Sequence, residues 1–169
     1  MDECGFSPTQ PTGYSWAALG QRKLVPYENP QGRRVNALVA YRPLGSRPTL
    51  RYLVHPRTLT SRDVLHLLER LASPPRSCVV VLDNAGIHVS RQVREQLPRL
   101  ARRGLTLYYL PAYAPELNEV EAVFQVLKQY EMPERSYHTL AQLLAAIRRA
   151  LASYSQRLHR RGQKPCPGA

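Results

Sequence analysis

Acidic residues are scarce in this chain. Only 12 Asp and Glu stand against 24 Lys and Arg in 169 residues, a formal net charge of +12. The scarcity is sharpest near the end, where no acid lies between Ile147 and Lys164. Cysteine is scarcer still. Cys4, Cys78 and Cys166 are odd in number and widely spaced, which argues against a disulfide framework and against a zinc motif. A reducing setting is the simplest match. No run of 18 apolar residues occurs, so no membrane span is expected. The opening residues are acidic and polar, so no secretory leader is expected either. No internal repeat is visible.

Hydrophobic residues make up 43% of the chain, enough for one domain with a substantial core and too many for a disordered chain. The excess of basic residues favours a polyanionic partner, most often nucleic acid. Arg91, Arg94, Arg99, Arg102 and Arg103 crowd one segment. Arg148, Arg149, Arg157, Arg160, Arg161 and Lys164 crowd another.

The chain is organised around residues 107–128, which read LYYLPAYAPELNEVEAVFQVLK. An apolar, tyrosine-rich strand is stopped by Pro111 and Pro115. A helix over 117–130 follows, with Val120, Val123, Phe124, Leu127 and Tyr130 at helical spacing. A helix turns about 100° per residue. On that count Glu121 lies at the edge of the buried face, on the side of Asn118, Gln125 and Lys128. Glu119 lies roughly 160° from Glu121, so the two glutamates do not serve one site. Read alone, Glu121 is an ordinary first-turn acid favoured by the helix dipole.

Upstream, residues 77–83 read SCVVVLD, a continuous apolar run that suits a strand buried on both faces. Asp83 closes it, at the carboxyl end where open α/β sheets place their ligands. Read alone, Asp83 simply opens a turn with Asn84. His88 follows, and Ser90 is placed to cap a helix. Asp2 and Glu3 stand at the front, in DECGF.

DECGF, VVLDNAGIH and LPAYAPELNEVEAVFQVLK together resemble the DDE endonuclease domain of bacterial insertion-sequence transposases related to the mariner group. The resemblance extends to about Tyr154, and its last two motifs are long and specific. Glu119 stands where the family has proline, and Phe124 where it has tryptophan. The resemblance implies a ribonuclease-H-like α/β fold, with a mixed central sheet and helices on both faces. It implies a catalytic triad of Asp2, Asp83 and Glu121 holding two magnesium or manganese ions, with Asp83 bridging them. Asn84, His88 and Asn118 match motif positions and are expected to orient water or fix the loops, and His88 reads equally as a core or capping histidine. Lys128, Arg91, Arg94, Arg148 and Arg149 are the expected DNA contacts. Expected partners are double-stranded DNA, as element ends and target, and a second copy in a homodimer. The expected setting is the bacterial cytoplasm, at the nucleoid.

The function so implied is metal-dependent cleavage of DNA at element ends, then strand transfer by the 3′-hydroxyl. The family's helix-turn-helix region would lie upstream of these residues. Only one residue precedes Asp2, so the first strand reads as cut short, and the alternative is a truncated, catalytically silent DNA-binding remnant that cannot position Asp2. A ribonuclease acting on structured RNA would share the site and the fold.

Residues 7–32 are rich in proline and glycine and read as loops, with a short strand around 23–27 and a Tyr14–Trp16 packing cluster. Residues 33–42 and 49–55 read as an antiparallel hairpin ending at His55, taken as a surface histidine. Helices are expected over 60–72, capped by Thr60 with Asp63, and over 90–103, where Pro98 would kink or interrupt and Gly104 would terminate. A last strand follows at 105–110. A final helix over 139–154 has Thr139 and Gln142 as a capping box. The catalytic domain is assigned to 1–155 and a basic, disordered tail to 156–169.

Overall fold

The structure, a computed structural model, describes residues 1–9, 18–21, 32–43, 48–111, 114–132 and 136–161. Five strands and four α-helices lie among the described residues. Strands β1 (Asp2–Phe6), β2 (Val35–Arg42) and β3 (Thr49–His55) form an antiparallel sheet in that order. The β2–β3 hairpin is the expected one, in a register that pairs Asn36 with His55 and Arg42 with Thr49. Strands β4 (Cys78–Leu82) and β5 (Leu105–Tyr109) pair in parallel, Val81 opposite Tyr108. A parallel pair needs a long crossover, and helix α2 (Arg91–Arg102) supplies it. The two ladders meet where the Met1 ammonium donates to the Val81 carbonyl across 2.7 Å. The first strand thus starts beside the fourth.

Strand alternation divides the core in two. Val35, Ala37 and Val39 of β2 face one way, with Phe6, Leu50 and Val54. They pack against α3 (Glu119–Val126) and α4 (Leu140–Arg161) through Val120, Val123, Phe124, Leu143, Ile147 and Leu151. Leu38 faces the other way. It joins Met1, Val80 and Leu82 against α1 (Ser61–Leu71) and α2, through Val64, Leu67, Leu68, Val93 and Leu100. Helices therefore cover both faces of the antiparallel sheet, as expected.

The caps are where the sequence puts them. The Thr60 N–H donates to Asp63 Oδ2 across 2.8 Å, closing one arm of the box at the start of α1. Thr139 and Gln142 exchange both bonds at the start of α4. Ser90 Oγ accepts from the Val93 N–H. Helix α2 runs through Pro98 without interruption. Gly104 ends it with φ near +77°, a conformation that favours glycine.

Three expectations are corrected. The SCVVVLD strand is buried on one face only: Val79 and Val81 are 65% and 39% exposed, beside Tyr108 at 58%. Helices α3 and α4 lie over β1, β2 and β3, so among the described residues nothing covers that face of β4 and β5. Tyr130 does not extend the apolar stripe of α3 and is exposed. A π-turn over Leu127–Glu131 widens the helix end, its bond running from the Met132 N–H to the Leu127 carbonyl. The extra residue turns Tyr130 outward and brings Met132 into the core. The last helix continues to Arg161, past the boundary assigned at 155, because Leu158 prolongs the stripe of Leu151 and is buried. The basic residues from 156 to 161 are therefore helical. The expected strand over 23–27, the Tyr14–Trp16 cluster, and residues 162–169 with Cys166 lie outside the described residues.

Candidate active site

Alternation along β1 separates its two acids. Asp2 shares a face with Cys4 and Phe6, toward α3 and α4. Glu3 shares the other with Met1, toward α1 and α2. Asp83 follows β4 directly and continues the face of Val79 and Val81. Because β1 starts beside Val81, Asp2 and Asp83 are neighbours although 81 positions apart in sequence.

Asp83 acts on Asp2 electrostatically. The Asp2 carboxyl is pushed up to about 6, first by burial and then by the charges of Asp83 and Glu3. The Glu3 N–H and the Asn118 amide work against the rise. Burial lowers the Met1 ammonium, and the charges of Asp2 and Asp83 oppose that shift. Two carboxylates that repel across a partly buried gap are a place where a cation lowers the energy.

Each acid is held by specific donors. Asp2 Oδ1 accepts from the Glu3 N–H at 2.7 Å, and Asp2 Oδ2 from the Asn118 amide at 2.9 Å. Asp83 Oδ1 accepts from the Ala85 N–H at 3.1 Å and meets His88 Nδ1 at 2.6 Å. Among the described residues Asp83 Oδ2 has no hydrogen bond. Asn84 does not touch either acid. Its amide donates to the Leu110 carbonyl across 2.8 Å and ties the loop after β4 to the end of β5.

His88 is fully buried. Its Nε2 stands 3.1 Å from Glu3 Oε2, an ion-pair distance without the alignment of a hydrogen bond. Burial lowers its pKa, but Glu3 and then Asp83 more than reverse this, so the net shift is upward. The Tyr109 hydroxyl donates to the His88 carbonyl. His88 is thus both core and site. Glu3 and Tyr109 belong to this cluster and the motif reading passed over them. The signal for Glu3 was its place next to Asp2, which on a strand assigns it to the opposite face.

Asn118 caps α3 and Glu121 lies one helical turn further on, its N–H donating to the Asn118 carbonyl. The Glu121 side chain is exposed. Glu121 lies in the first turn of the helix whose cap residue bonds to Asp2. It does not close on the pair: among the described residues no three acidic, histidine or cysteine side chains stand together closely enough to hold a metal ion. Asp2 and Asp83 fit a hard cation in charge and donor type, and Glu121 is the arm that stands apart.

The expected DNA contacts fall in three places. Lys128 Nζ sits 5.3 Å from the centre of the Phe6 ring, on the Asp2 face. Arg91 and Arg94 occupy the first turn of α2, just after His88. Arg91 pairs with Glu95, and Arg94 lies near Tyr109. Arg148 and Arg149 are exposed on α4. There Arg148 lines a cleft of about 400 Å³ with Tyr52, Leu53, Val54 and His55, at the far edge of the antiparallel sheet. The cleft contains no acid of the cluster. No helix among the described residues is long and apolar enough to cross a membrane.

The chain resembles solved structures of one transposase. Against the Mos1 mariner paired-end complex with Mn, the TM-score is 0.66 at 19% identity, covering 95% of this chain and 49% of that one. Against the Mos1 paired-end complex with the left transposon end, it is 0.58 at 20% identity, covering 96% and 52%. The Mos1 strand transfer complex gives 0.58 at 19%. The chain thus spans about half the length of these relatives, and what they share is the ribonuclease-H-like fold. No curated protein matches the chain. The sequence profile of the DDE superfamily endonucleases matches residues 1–144, a span that holds all five strands, Asp2, Asp83 and Glu121. This chain belongs to the DDE superfamily endonucleases.

Proposed function

We propose that this chain is the catalytic domain of a transposase, which cleaves DNA phosphodiester bonds at element ends and joins the freed 3′-hydroxyl to target DNA. The observation that carries the reading is the meeting of Asp2 and Asp83, with Asn118 of α3 bonded to Asp2. Three motifs distant in sequence converge there. The likeness to Mos1 complexes with transposon ends supports DNA as the partner. It also favours a dimer working on paired ends.

Asp2, Asp83 and Glu121 are the residues that would hold two divalent ions. Magnesium and manganese take carboxylate oxygens, and the cluster offers them. When bound, such a pair stabilises charge on the attacking and leaving oxygens of a phosphodiester. The chain's own contribution is orientation. Asn118 and the Glu3 N–H fix Asp2. The Ala85 N–H and His88 engage Oδ1 of Asp83, and among the described residues Oδ2 has no hydrogen bond. Lys128 offers positive charge on the same face as Asp2, suited to a DNA phosphate. Water attack at phosphorus breaks the bond to the 3′ oxygen, and the resulting hydroxyl becomes the next nucleophile.

A labelled DNA duplex carrying the element end, and an RNA hairpin, are the test substrates. DNA cleavage lost in Asp83→Asn and Glu121→Gln, with unchanged circular dichroism, is the expected result. Equal cleavage by wild type and both variants overturns the reading, and preference for RNA replaces it with a ribonuclease. The second reading, a silent DNA-binding remnant, is favoured by the exposed, unconverged Glu121. It requires DNA binding with no cleavage under any metal.

A further inference from the structure

His88 offers two nitrogens to two carboxylates on opposite faces of the sheet. Nδ1 lies 2.6 Å from Asp83 Oδ1, and Nε2 lies 3.1 Å from Glu3 Oε2. The ring has no exposure to solvent. Both Nε2 and Glu3 Oε2 are buried, and among the described residues neither has a hydrogen bond, so each is the other's nearest compensation. Asp83 thus engages the ring at Nδ1 and Glu3 faces it at Nε2, so the two carboxylates hold it from opposite ends. Removing one partner would leave a buried polar atom uncompensated, and the ring would re-orient or draw in water. The orientation of Asp83 therefore depends on Glu3, a residue it does not touch.

We infer that Glu3 is a positioning residue for the metal-binding carboxylate Asp83, acting through His88. The inference rests on the proposed metal-dependent function for its consequence, though not for the linkage itself. Glu3 sits next to Asp2 in sequence but serves the other acid. Adjacent residues on β1 thus supply a site acid on one face and a brace for its partner on the other. The Tyr109 hydroxyl, donating to the His88 carbonyl across 3.2 Å, holds the histidine backbone while the two carboxylates set the ring. Outer partners of this kind change metal affinity by about 10–100-fold when removed.

The test is a mutant cycle with two readouts: Mn2+ binding followed by its electron paramagnetic resonance signal, and urea unfolding without metal. Glu3→Ala should weaken Mn2+ binding about 10–100-fold. Glu3→Gln, which keeps an acceptor for Nε2, should stay within a few-fold of wild type. His88→Asn retains a donor toward Asp83 and removes the end that faces Glu3. Adding Glu3→Ala to it should weaken binding no further, since the route is already cut. In unfolding, Glu3→Ala and Asp83→Asn should be non-additive in wild type and additive in the His88→Asn background. Additive losses of Mn2+ affinity from Glu3→Ala and His88→Asn would overturn the inference and make Glu3 a direct ligand. So would a Glu3→Ala variant that binds Mn2+ like wild type. If wild type binds no Mn2+, the functional reading fails, and the metal-free unfolding cycle alone decides the linkage.

Discussion

The Asn118 amide donates to Asp2 Oδ2 across 2.9 Å, joining the cap of α3 to the first strand over a separation of 116 residues. This bond ties the start of α3 to Asp2, and Glu121 lies one turn further along that helix. Asn118→Ala removes the donor and leaves Asp2 with the Glu3 N–H. Stability should fall by about 1 kcal/mol in urea unfolding. Mn2+ affinity should fall by about 10–100-fold. Unchanged affinity would mean that the bond serves the helix cap alone.

Asp2 predicts a pH dependence of stability. Its carboxyl is pushed up to about 6 in the folded chain, against an ordinary value near 3.8. Between those values the folded state holds the proton more tightly than the unfolded one. This group's contribution therefore falls as pH rises from about 4 to 6 and is flat above. Asp2→Asn should raise the urea midpoint at pH 7 and remove that slope in metal-free protein. A variant that is less stable at pH 7 contradicts the assignment.

Gly104 is a backbone prediction. Its φ is near +77°, and an added Cβ would lie 2.9 Å from the Arg76 carbonyl oxygen, a backbone atom that cannot swing aside. Gly104→Ala should lose more than about 1 kcal/mol in urea unfolding. Gly86, where a Cβ meets nothing within 4 Å, is the control and should tolerate alanine with little change.

Charge placement predicts which residues meet DNA near the acids. Lys128 lies on the Asp2 face, and Arg94 lies beside Tyr109. Arg148 sits two strands away, at the β3 edge. Lys128→Gln and Arg94→Gln should each lower the slope of log affinity against log salt by about 1. Arg148→Gln should move it less. Filter binding across a salt series measures all three.

Much of this was legible because it is local. The capping boxes at Thr60 and Thr139, the stop at Gly104 and the stripe of Val120, Val123, Phe124 and Leu127 each depend on residues within one or two turns. So does the hairpin. What escaped depended on tertiary context or on one inserted residue. The run at 77–83 is apolar throughout, but whether Val79 and Val81 are covered depends on where α3 and α4 dock. Tyr130 fits a regular helix and is turned out by a π-turn that no pattern announces. The end of α4 was missed because Leu158 stands alone among arginines, and charge hid the stripe. Among the clustered side chains, Asp2, Asp83, Asn118 and His88 stand in the motifs. The role of Glu3 was not legible, because its partner lies 85 positions away on another element.

The central claim, that Asp2, Asp83 and Glu121 form one metal-dependent cleavage site, is tested most directly by nicking of supercoiled plasmid. The chain is incubated with magnesium, manganese or EDTA, beside Asp83→Asn and Glu121→Gln. The account predicts nicking with either metal, none with EDTA, and none from either variant. Nicking that persists in EDTA or in both variants would contradict it. So would a folded, DNA-bound wild type that leaves the plasmid supercoiled with both metals.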